Sequence, residues 1–241
     1  MRLLVLAAGY ATRLYPLTLD RPKPLLPIGG RPMVDRLLEA LDPIGFDGRY
    51  VVTNAKFADQ FRAWAGDSAL TVVDDGTTSE DDRLGAIGDI GFVIEREGID
   101  DDLVVVAGDN LFSETLGDFG RAARERAAPL LAVHEIDLEL IRGRYNSIEV
   151  DGDGRVTYFE EKPEEPRSTL SGIALYFYPR PVLPLIREYL ASGENPDQPG
   201  RLVQWLYPRV DVFTWRVPGR WYDIGSREQL DEADRVFLAR S

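Results

Sequence analysis

Residues 3–14 of the chain read LLVLAAGYATRL, an unbroken apolar run that ends at a glycine and leads into a turn of small residues and an arginine. An apolar run without polar alternation predicts a β-strand over residues 3–8 that is buried on both faces of a sheet. The following segment, residues 9–32, is rich in Gly, Pro and Arg. It is longer than an ordinary connection, which is typical of a ligand-binding loop. Pro32 then predicts the start of a helix at Met33.

Strand and helix patterns alternate from this first strand to about residue 135. The predicted strands cover residues 49–53, 69–73, 103–107 and 129–133, and the predicted helices cover residues 33–41, 57–65, 84–97 and 118–127. Repeated βα units are typical of a mainly parallel sheet with helices on both faces. We therefore predict an α/β fold, a Rossmann-like, mainly parallel mixed sheet flanked by helices.

The pattern changes after residue 135. A hairpin is predicted for residues 147–150 and 156–160, and later elements for residues 174–178, 182–190, 202–206, 212–217 and 227–238. The Asp-Gly-Asp-Gly run at 151–154 is typical of a hairpin turn rather than a calcium loop, because the downstream ligands of an EF-hand are missing. We find no internal repeat or low-complexity linker, so we predict one domain over residues 1–241 with a smaller mixed subregion after residue 135.

Composition and charge exclude several classes of function. The net charge of −13 disfavours nucleic acid and anionic membranes as partners, because both attract basic surfaces. No apolar run reaches the roughly 18–20 residues of a membrane helix, and the first apolar stretch is too short for a signal peptide. The absence of cysteine excludes a thiolate nucleophile and a cysteine-based metal site. These features predict a cytoplasmic protein, and assembly into a homo-oligomer is left open.

The loop after the first strand carries two cations, Arg13 and Lys23. Ala8 and Gly9 at its start are small enough for backbone N–H groups to approach phosphate oxygens. The Arg13 guanidinium offers a fork to a terminal phosphate, and Lys23 offers a compact charge. The loop is neither a Walker loop nor a dinucleotide fingerprint, because it has no Gly-Lys-Ser/Thr and Ala11 breaks the Gly-x-Gly pattern. It therefore predicts an anion site, with a basic surface loop as the alternative.

Two aspartates are candidates for chemistry. Asp109 follows the buried strand predicted for residues 103–107, at the edge of the sheet where ligands bind in this architecture. Asp223 precedes the last predicted helix. For both residues the alternative role is a helix cap. The single histidine, His134, ends an apolar strand and is predicted to be a core or rim residue, because nothing near it suggests a catalytic triad.

The chain resembles the sugar-1-phosphate nucleotidyltransferase (nucleoside-diphosphate-sugar pyrophosphorylase) family in five motifs. The first lies within residues 6–27, and the others are LGAIG at 84–88, AGDN at 107–110, FEEKP at 159–163 and WYDIG at 221–225. They appear in the family's order and span nearly the whole chain, so their combination is far more specific than any one of them. The resemblance is to a short single-domain form and implies the GT-A-like fold of nucleotide-diphospho-sugar transferases.

This resemblance implies transfer of a nucleoside monophosphate from a nucleoside triphosphate to a sugar 1-phosphate, which forms a nucleoside-diphosphate sugar and releases pyrophosphate. A cytidylyltransferase that acts on a non-sugar phosphate monoester is one alternative. A GT-A glycosyltransferase and a nucleotide-binding regulator without turnover are two others. The chain length is expected to leave no room for a fused acyltransferase or β-helix domain.

The resemblance also implies roles for individual residues. The nucleotide-binding residues would be Leu6, Ala7, Ala8, Gly9, Gly85 and Asp109, and the acceptor-binding residues Glu161, Lys162 and Gly172. Residues 1–135 would mainly bind the nucleotide and residues 136–241 mainly the acceptor. Asp109 and Asp223 would hold Mg²⁺, the implied cofactor. The catalytic residues would be these two aspartates with Arg13, on the leaving pyrophosphate, and Lys23, which would neutralise charge on both reactants.

The sequence departs from the family pattern at two positions. Ala11 replaces the second glycine of the first loop, which restricts the turn slightly. In the sugar-facing segment SGIA at 171–174, the place of the family glycine is taken by Gly172 or by Ala174, and both assignments stay open.

Two further sets of residues have a structural and a functional interpretation. The acidic run at residues 74–82 is predicted to be a solvated loop beside the base pocket rather than a metal site. Four aromatic residues are predicted to be core or subunit contacts, with a sugar platform as the alternative. They are Trp205, Trp215, Trp221 and Tyr222.

Overall fold

The chain folds into a seven-stranded mixed sheet with helices on both faces. The computed structural model describes residues 1–239. The strands β1–β13 are Arg2–Leu6, Pro27–Ile28, Arg31–Pro32, Gly48–Thr53, Leu70–Asp74, Leu103–Ala107, Asn110–Phe112, Leu130–Glu135, Asn146–Val150, Val156–Glu161, Leu170–Tyr178, Phe213–Arg216 and Trp221–Asp223. The helices α1–α8 are Met33–Leu41, Ala58–Ala65, Ala86–Arg96, Gly117–Arg126, Leu138–Ile141, Leu183–Ala191, Pro199–Leu206 and Arg227–Leu238.

The order of strands in the large sheet is β12-β8-β11-β6-β1-β4-β5. β1 pairs in parallel with β4 and β6, β4 with β5, and β12 with β8. β11 runs antiparallel to its two neighbours, β6 and β8. The predicted fold class, a mainly parallel mixed sheet between helices, is confirmed.

Alternate side chains of β1 enter two separate apolar layers. Leu4 packs into the layer formed with α3, α6 and α7, whereas Leu3 and Val5 pack into the layer formed with α1, α2 and α4. Because both faces of the strand are covered, every position favours an apolar side chain. This double burial explains the continuous apolar run from which the sequence predicts the strand.

A third apolar cluster joins α8 to the long loop that follows β1. Leu14 of the loop packs with Leu230 and Phe237 of the helix. The Asp234 carboxylate accepts a hydrogen bond from the Gly29 N–H at 2.7 Å. The last helix therefore holds the long loop in place, although the two are separated by about 200 residues of chain.

Two short strands that the sequence did not predict, β7 and β13, pair with each other in antiparallel fashion. Their register places Asp223 opposite Asn110. The Trp221 indole N–H also donates to the Asn110 side-chain oxygen. This pairing carries the last sequence motif to the end of β6.

Most predicted elements are present, with shifts at their ends. α1, α8 and β6 have the predicted bounds. β1 ends at Leu6 rather than at residue 8, because the Ala8 carbonyl accepts the Asn54 side-chain N–H at 2.8 Å instead of a strand amide. β11 begins at Leu170, four residues before the predicted start, and its register with β8 shifts after Gly172. No helix of the described chain is long and apolar enough to cross a membrane.

The packing of α4 can be tested at Phe119, which is fully buried and lies edge-on to Trp215. Phe119→Ala should lower the free energy of unfolding by roughly 3–5 kcal/mol, because it leaves a cavity in the apolar layer. Urea denaturation followed by circular dichroism measures this change. Arg121→Ala on the exposed face of the same helix removes only an exposed ion pair with Asp118 and should cost less than about 1 kcal/mol. Equal losses for the two variants would contradict this packing.

Candidate active site

The carboxyl ends of β1 and β6 lie side by side, with Leu6 opposite Ala107. The Gly108 N–H donates to the Leu6 carbonyl at 2.8 Å. A Cβ on Gly108 would lie 3.1 Å from that oxygen and 3.0 Å from Pro24 Cγ, so the absence of a side chain lets the two strand ends approach. The loop after β1 and Asp109 after β6 therefore meet at one edge of the sheet, as expected for parallel strands in an open α/β sheet.

A cavity of about 490 Å³ opens at this edge. Its wall brings together most residues that the family resemblance assigns to the nucleotide and to catalysis. They are Leu6, Ala8, Gly9, Arg13, Lys23, Gly85, Asp109 and Asp223. Ala7 instead lines a neighbouring cavity of about 190 Å³, which also contacts Lys23 and Asp109. We call the larger space the first cavity.

Ala11, the departure from the glycine of the family loop, adopts a left-handed backbone conformation with φ 49° and ψ 43°. This conformation disfavours an alanine by about 1–2 kcal/mol relative to glycine. The Ala11 carbonyl accepts hydrogen bonds from the Leu14 N–H at 3.0 Å and from the Thr18 hydroxyl at 2.8 Å. These bonds hold the turn that precedes Arg13.

A second cavity, of about 300 Å³, adjoins the first. It contains Glu161 and both candidates for the family glycine, Gly172 and Ala174. A Cβ on Gly172 would lie 2.8 Å from Leu131 Cδ2. Of the two candidates, Gly172 is therefore the position at which a side chain would crowd its neighbours. The walls of the two cavities share six residues: Leu6, Ala86, Asp109, Asp197, Gln198 and Asp223. Two of the shared residues are the aspartates predicted to carry chemistry.

Asp109 and Asp223 form an electrostatic pair at the junction of the cavities. The Lys23 ammonium lies 2.7 Å from Asp109 Oδ2, and the Tyr145 hydroxyl donates to Asp223 Oδ2 at 3.2 Å. Burial raises the pKa of Asp223, and the negative charge of Asp109 raises it further. Burial and the charge of Asp223 raise the pKa of Tyr145 to about 12, which keeps its hydroxyl a donor. The junction thus holds negative charge that a bound cation would stabilise.

The structure separates the two neighbours Glu161 and Lys162. Glu161 lines the second cavity, and its Oε2 packs so closely on Gly200 that a Cβ at residue 200 would require the carboxylate to move. Lys162 is not among the described residues that line either cavity. Its backbone has φ 52° and its N–H donates to the Tyr145 carbonyl at 2.9 Å. Burial raises the pKa of Glu161, and the positive charge of Lys162 opposes this rise.

Gly85 has φ 79° and lies directly before α3. A Cβ there would come within 2.8 Å of the Pro196 carbonyl carbon and oxygen and 3.0 Å of Asp197 Cα. These are backbone atoms that no side-chain rotation can move. Gly85 therefore lets the backbone of Pro196 and Asp197 pack directly against the start of α3, and it also lines the first cavity.

Several wall residues were not predicted from the sequence. In the first cavity they are Tyr10, Arg83, Asp89, Asp197 and Gln198, and in the second cavity Arg144, Tyr145, Asn146 and Gly200. Arg83 forms an ion pair with Asp197 at 2.9 Å, across 114 residues of chain. Arg83 lies next to the LGAIG motif, and that proximity is the one signal that could have identified it.

The aromatic residues divide between the two interpretations. Trp205 and Trp215 pack edge-on against Tyr189 and Phe119, as predicted for core residues. Trp221 also packs on the apolar core, and its pairing with Phe112 across β13 and β7 places it in the wall of the second cavity as well.

The acidic run and His134 lie beside the site. Asp82 accepts hydrogen bonds from the backbone N–H groups of Thr78 and Ser79, which lower its pKa to about 2. Glu80 lies in the wall of the first cavity. His134 lines a separate groove next to Trp221.

A family model described as "Nucleotidyl transferase" matches residues 2–239. The UTP–glucose-1-phosphate uridylyltransferase of Synechocystis sp. is 28% identical over 253 residues, which cover 100% of this chain and 64% of that protein. The chain thus spans less than two thirds of that relative. The uridylyltransferase AglF of Haloferax volcanii is 28% identical over 98% of this chain and 96% of its own length.

A crystal structure of a putative glucose-1-phosphate thymidylyltransferase from Bacillus anthracis superposes with a TM-score of 0.85. The two sequences are 22% identical, and the superposition covers 99% of this chain and 95% of that one. At this identity the likeness supports the fold. Because the family model covers the chain from residue 2 to residue 239, the protein belongs to the nucleotidyl transferase family.

Proposed function

We propose that this protein transfers a nucleoside monophosphate from a nucleoside triphosphate to a sugar 1-phosphate and releases pyrophosphate. The observation that carries this proposal is the position of Asp109 and Asp223 in the walls of both cavities. A reaction between two phosphate-bearing substrates requires two binding spaces that meet at the reacting phosphorus. Membership of the nucleotidyl transferase family agrees with this reaction.

The first cavity fits a triphosphate, because Arg13 and Lys23 line it together with the small residues Ala8 and Gly9. The second cavity fits a polyhydroxylated acceptor. Glu161 offers a carboxyl group to hydroxyls, and the Trp221 ring offers an apolar face. A volume of about 300 Å³ is sufficient for a small ligand.

In the proposed reaction, an oxygen of the acceptor phosphate forms a bond to the α-phosphorus. The bond from that phosphorus to the bridging oxygen of the β-phosphate breaks, and pyrophosphate departs with the electron pair. The acceptor phosphate is already ionised near pH 7, so no general base has to remove a proton. The residues of the site have to hold two anions in line and to stabilise the transferring group. Lys23 lies next to Asp109 and can reduce repulsion between the two anions.

The donor set at the junction fits Mg²⁺. Carboxylate oxygens are preferred ligands of this ion, which usually takes one or two carboxylates and completes its shell with phosphate oxygens and water. Within residues 1–239 no group of three or more His, Asp or Glu side chains is arranged to hold a metal. Asp109 and Asp223 would therefore hold the ion with substrate oxygens. When bound, it would stabilise negative charge on the reacting phosphates.

The role of the two aspartates is tested by Asp109→Asn and Asp223→Asn. Each should lower kcat by roughly 10²-fold or more, because one stabiliser of the transferring group is lost. Pyrophosphate release from combinations of triphosphates and phosphorylated acceptors measures this activity. Asp59→Asn, an exposed aspartate paired with Arg62, is the control and should be unchanged. Full activity of the unmodified protein in excess EDTA would contradict the proposed metal site.

The two lysines of the motifs should differ in their effects. Lys23→Ala should mainly lower kcat, because Lys23 lies on Asp109 at the junction. Lys162→Ala should mainly raise the KM of the acceptor, because its ammonium acts on Glu161 of the second cavity. Steady-state kinetics with each substrate varied in turn separates the two effects. Lys56→Ala, which removes a lysine stacked on Phe57, is the matched control. The reverse pattern would show that the two roles are exchanged.

Arg13 is predicted to bind the leaving group. Arg13→Lys keeps the positive charge but loses the bidentate fork, so it should still impair turnover. In the reverse reaction the variant should raise the KM of pyrophosphate while that of the nucleotide sugar stays nearly constant. Arg21→Lys, in the exposed part of the same loop, is the control. An unchanged pyrophosphate KM in Arg13→Lys would rule out this contact.

A further inference from the structure

A buried pair of carboxyl groups, Asp75 and Asp89, lies at one end of the first cavity. Asp75 follows β5 directly and Asp89 lies in the first turn of α3. The two residues are 9% and 6% exposed, and Asp89 belongs to the cavity wall. Burying two acidic groups together is unfavourable unless they share hydrogen bonds or bind a ligand.

The hydrogen bonds around the pair leave one proton to be shared. Asp75 Oδ1 accepts from both the N–H and the hydroxyl of Thr77, each at 2.7 Å. Asp75 Oδ2 and Asp89 Oδ1 are fully buried and have no other partner among residues 1–239. Burial, together with the charge of Asp75, raises the pKa of Asp89 to about 8. At neutral pH the pair therefore holds one proton, which lies between the two carboxyls.

This group is separate from the one at the junction. Asp75 follows β5 and Asp109 follows β6, and two other strands, β1 and β4, lie between β6 and β5 in the sheet. The first cavity thus has two polar ends. The end with Lys23 and Arg13 fits the phosphates, so the end with Asp89 is left for the base.

The wall at this second end is rich in hydrogen-bond acceptors. Arg83 is the one cation at this end among the described residues. It is already paired with Glu80 at 3.1 Å and with Asp197 at 2.9 Å. Tyr10 is only 8% exposed, and its buried hydroxyl has no hydrogen-bond partner in the described chain. A ligand with a polar edge would satisfy such groups, and one that presents donors would suit the carboxyls best.

We propose, on the basis of the proposed function, that this end of the cavity selects a base with an exocyclic amino group, with Asp89 Oδ2 as the acceptor. Guanine, cytosine and adenine carry such a group. Uracil and thymine offer only one ring N–H, with a carbonyl oxygen on each side. When that N–H donates to Asp89 Oδ2, the two carbonyls lie against the other acceptors of the wall. An unpaired contact of this kind commonly weakens binding by about tenfold or more.

The direct test is the binding of GTP, CTP, ATP, UTP and dTTP to the intact protein, measured by isothermal titration calorimetry with Mg²⁺ at pH 7. The tightest ligand should carry an amino group and should bind at least about tenfold more tightly than UTP and dTTP. Binding of UTP or dTTP as tight as that of the best amino-bearing triphosphate would overturn the base selection and leave the proposed function intact. Binding of none of the five would contradict the proposed function itself.

Two variants assign the selection to Asp89. Asp89→Asn can donate its amide N–H to Asp75 and keep a carbonyl oxygen in the cavity, so the base preference should persist. Asp89→Leu removes the acceptor and should reduce the preference to about threefold or less, with little change in UTP affinity. Asp81→Asn, an exposed residue of the acidic loop, is the control. An unchanged preference in Asp89→Leu would overturn the role of Asp89. If the leucine variant fails to fold, Asp89→Ala provides the same test, because it also removes the acceptor and should reduce the preference in the same way.

Discussion

Two carboxylates that repel each other, Asp109 and Asp223, are held at the junction of two cavities. Partial burial in one cleft is unfavourable for both charges. Two contacts oppose this cost, the Lys23 ammonium 2.7 Å from Asp109 and the Tyr145 hydroxyl 3.2 Å from Asp223. The rest of the fold holds the two carboxylates close together and prevents them from moving apart. An arrangement of fixed charges that needs no rearrangement during reaction is what stabilises a transferring phosphoryl group.

Each side of the junction depends on a long-range contact. Asp109 is fixed by β6, a buried strand between β1 and β11. Asp223 is fixed because β13 pairs with β7, the strand that follows Asp109 directly. Lys23 lies on a loop that α8 covers with an apolar cluster and with the Asp234–Gly29 hydrogen bond. We therefore expect damage to α8 to disturb the position of Lys23, even though the helix does not belong to the wall of the first cavity.

The parts of the fold that could be predicted from the sequence are those in which burial is periodic along the chain. β6 and α1 have the predicted bounds because each has a continuous or helical apolar pattern. The β7–β13 ladder was missed, since two three-residue strands carry no periodicity and depend on register with a distant segment. The Arg83–Asp197 ion pair and the Asp75–Asp89 pair were missed for the same reason. Most residues of the sequence motifs lie together in the cavity walls. The second position of Trp221, in a cavity wall as well as on the core, could not be predicted, because apolar residues have no marker that separates packing from binding.

In the proposed reaction, the α-phosphorus of a triphosphate is transferred at the Asp109–Asp223 junction. Incubation of the protein with triphosphate labelled in the α- or the γ-phosphate, and with a panel of sugar 1-phosphates and non-sugar phosphate monoesters, tests this transfer. We expect α-label to enter a nucleoside-diphosphate sugar and γ-label to leave in pyrophosphate. Label transfer only to a non-sugar monoester would contradict the proposed acceptor. Absence of α-label from every product, or consumption of a nucleotide sugar without pyrophosphate formation, would contradict nucleotidyl transfer itself.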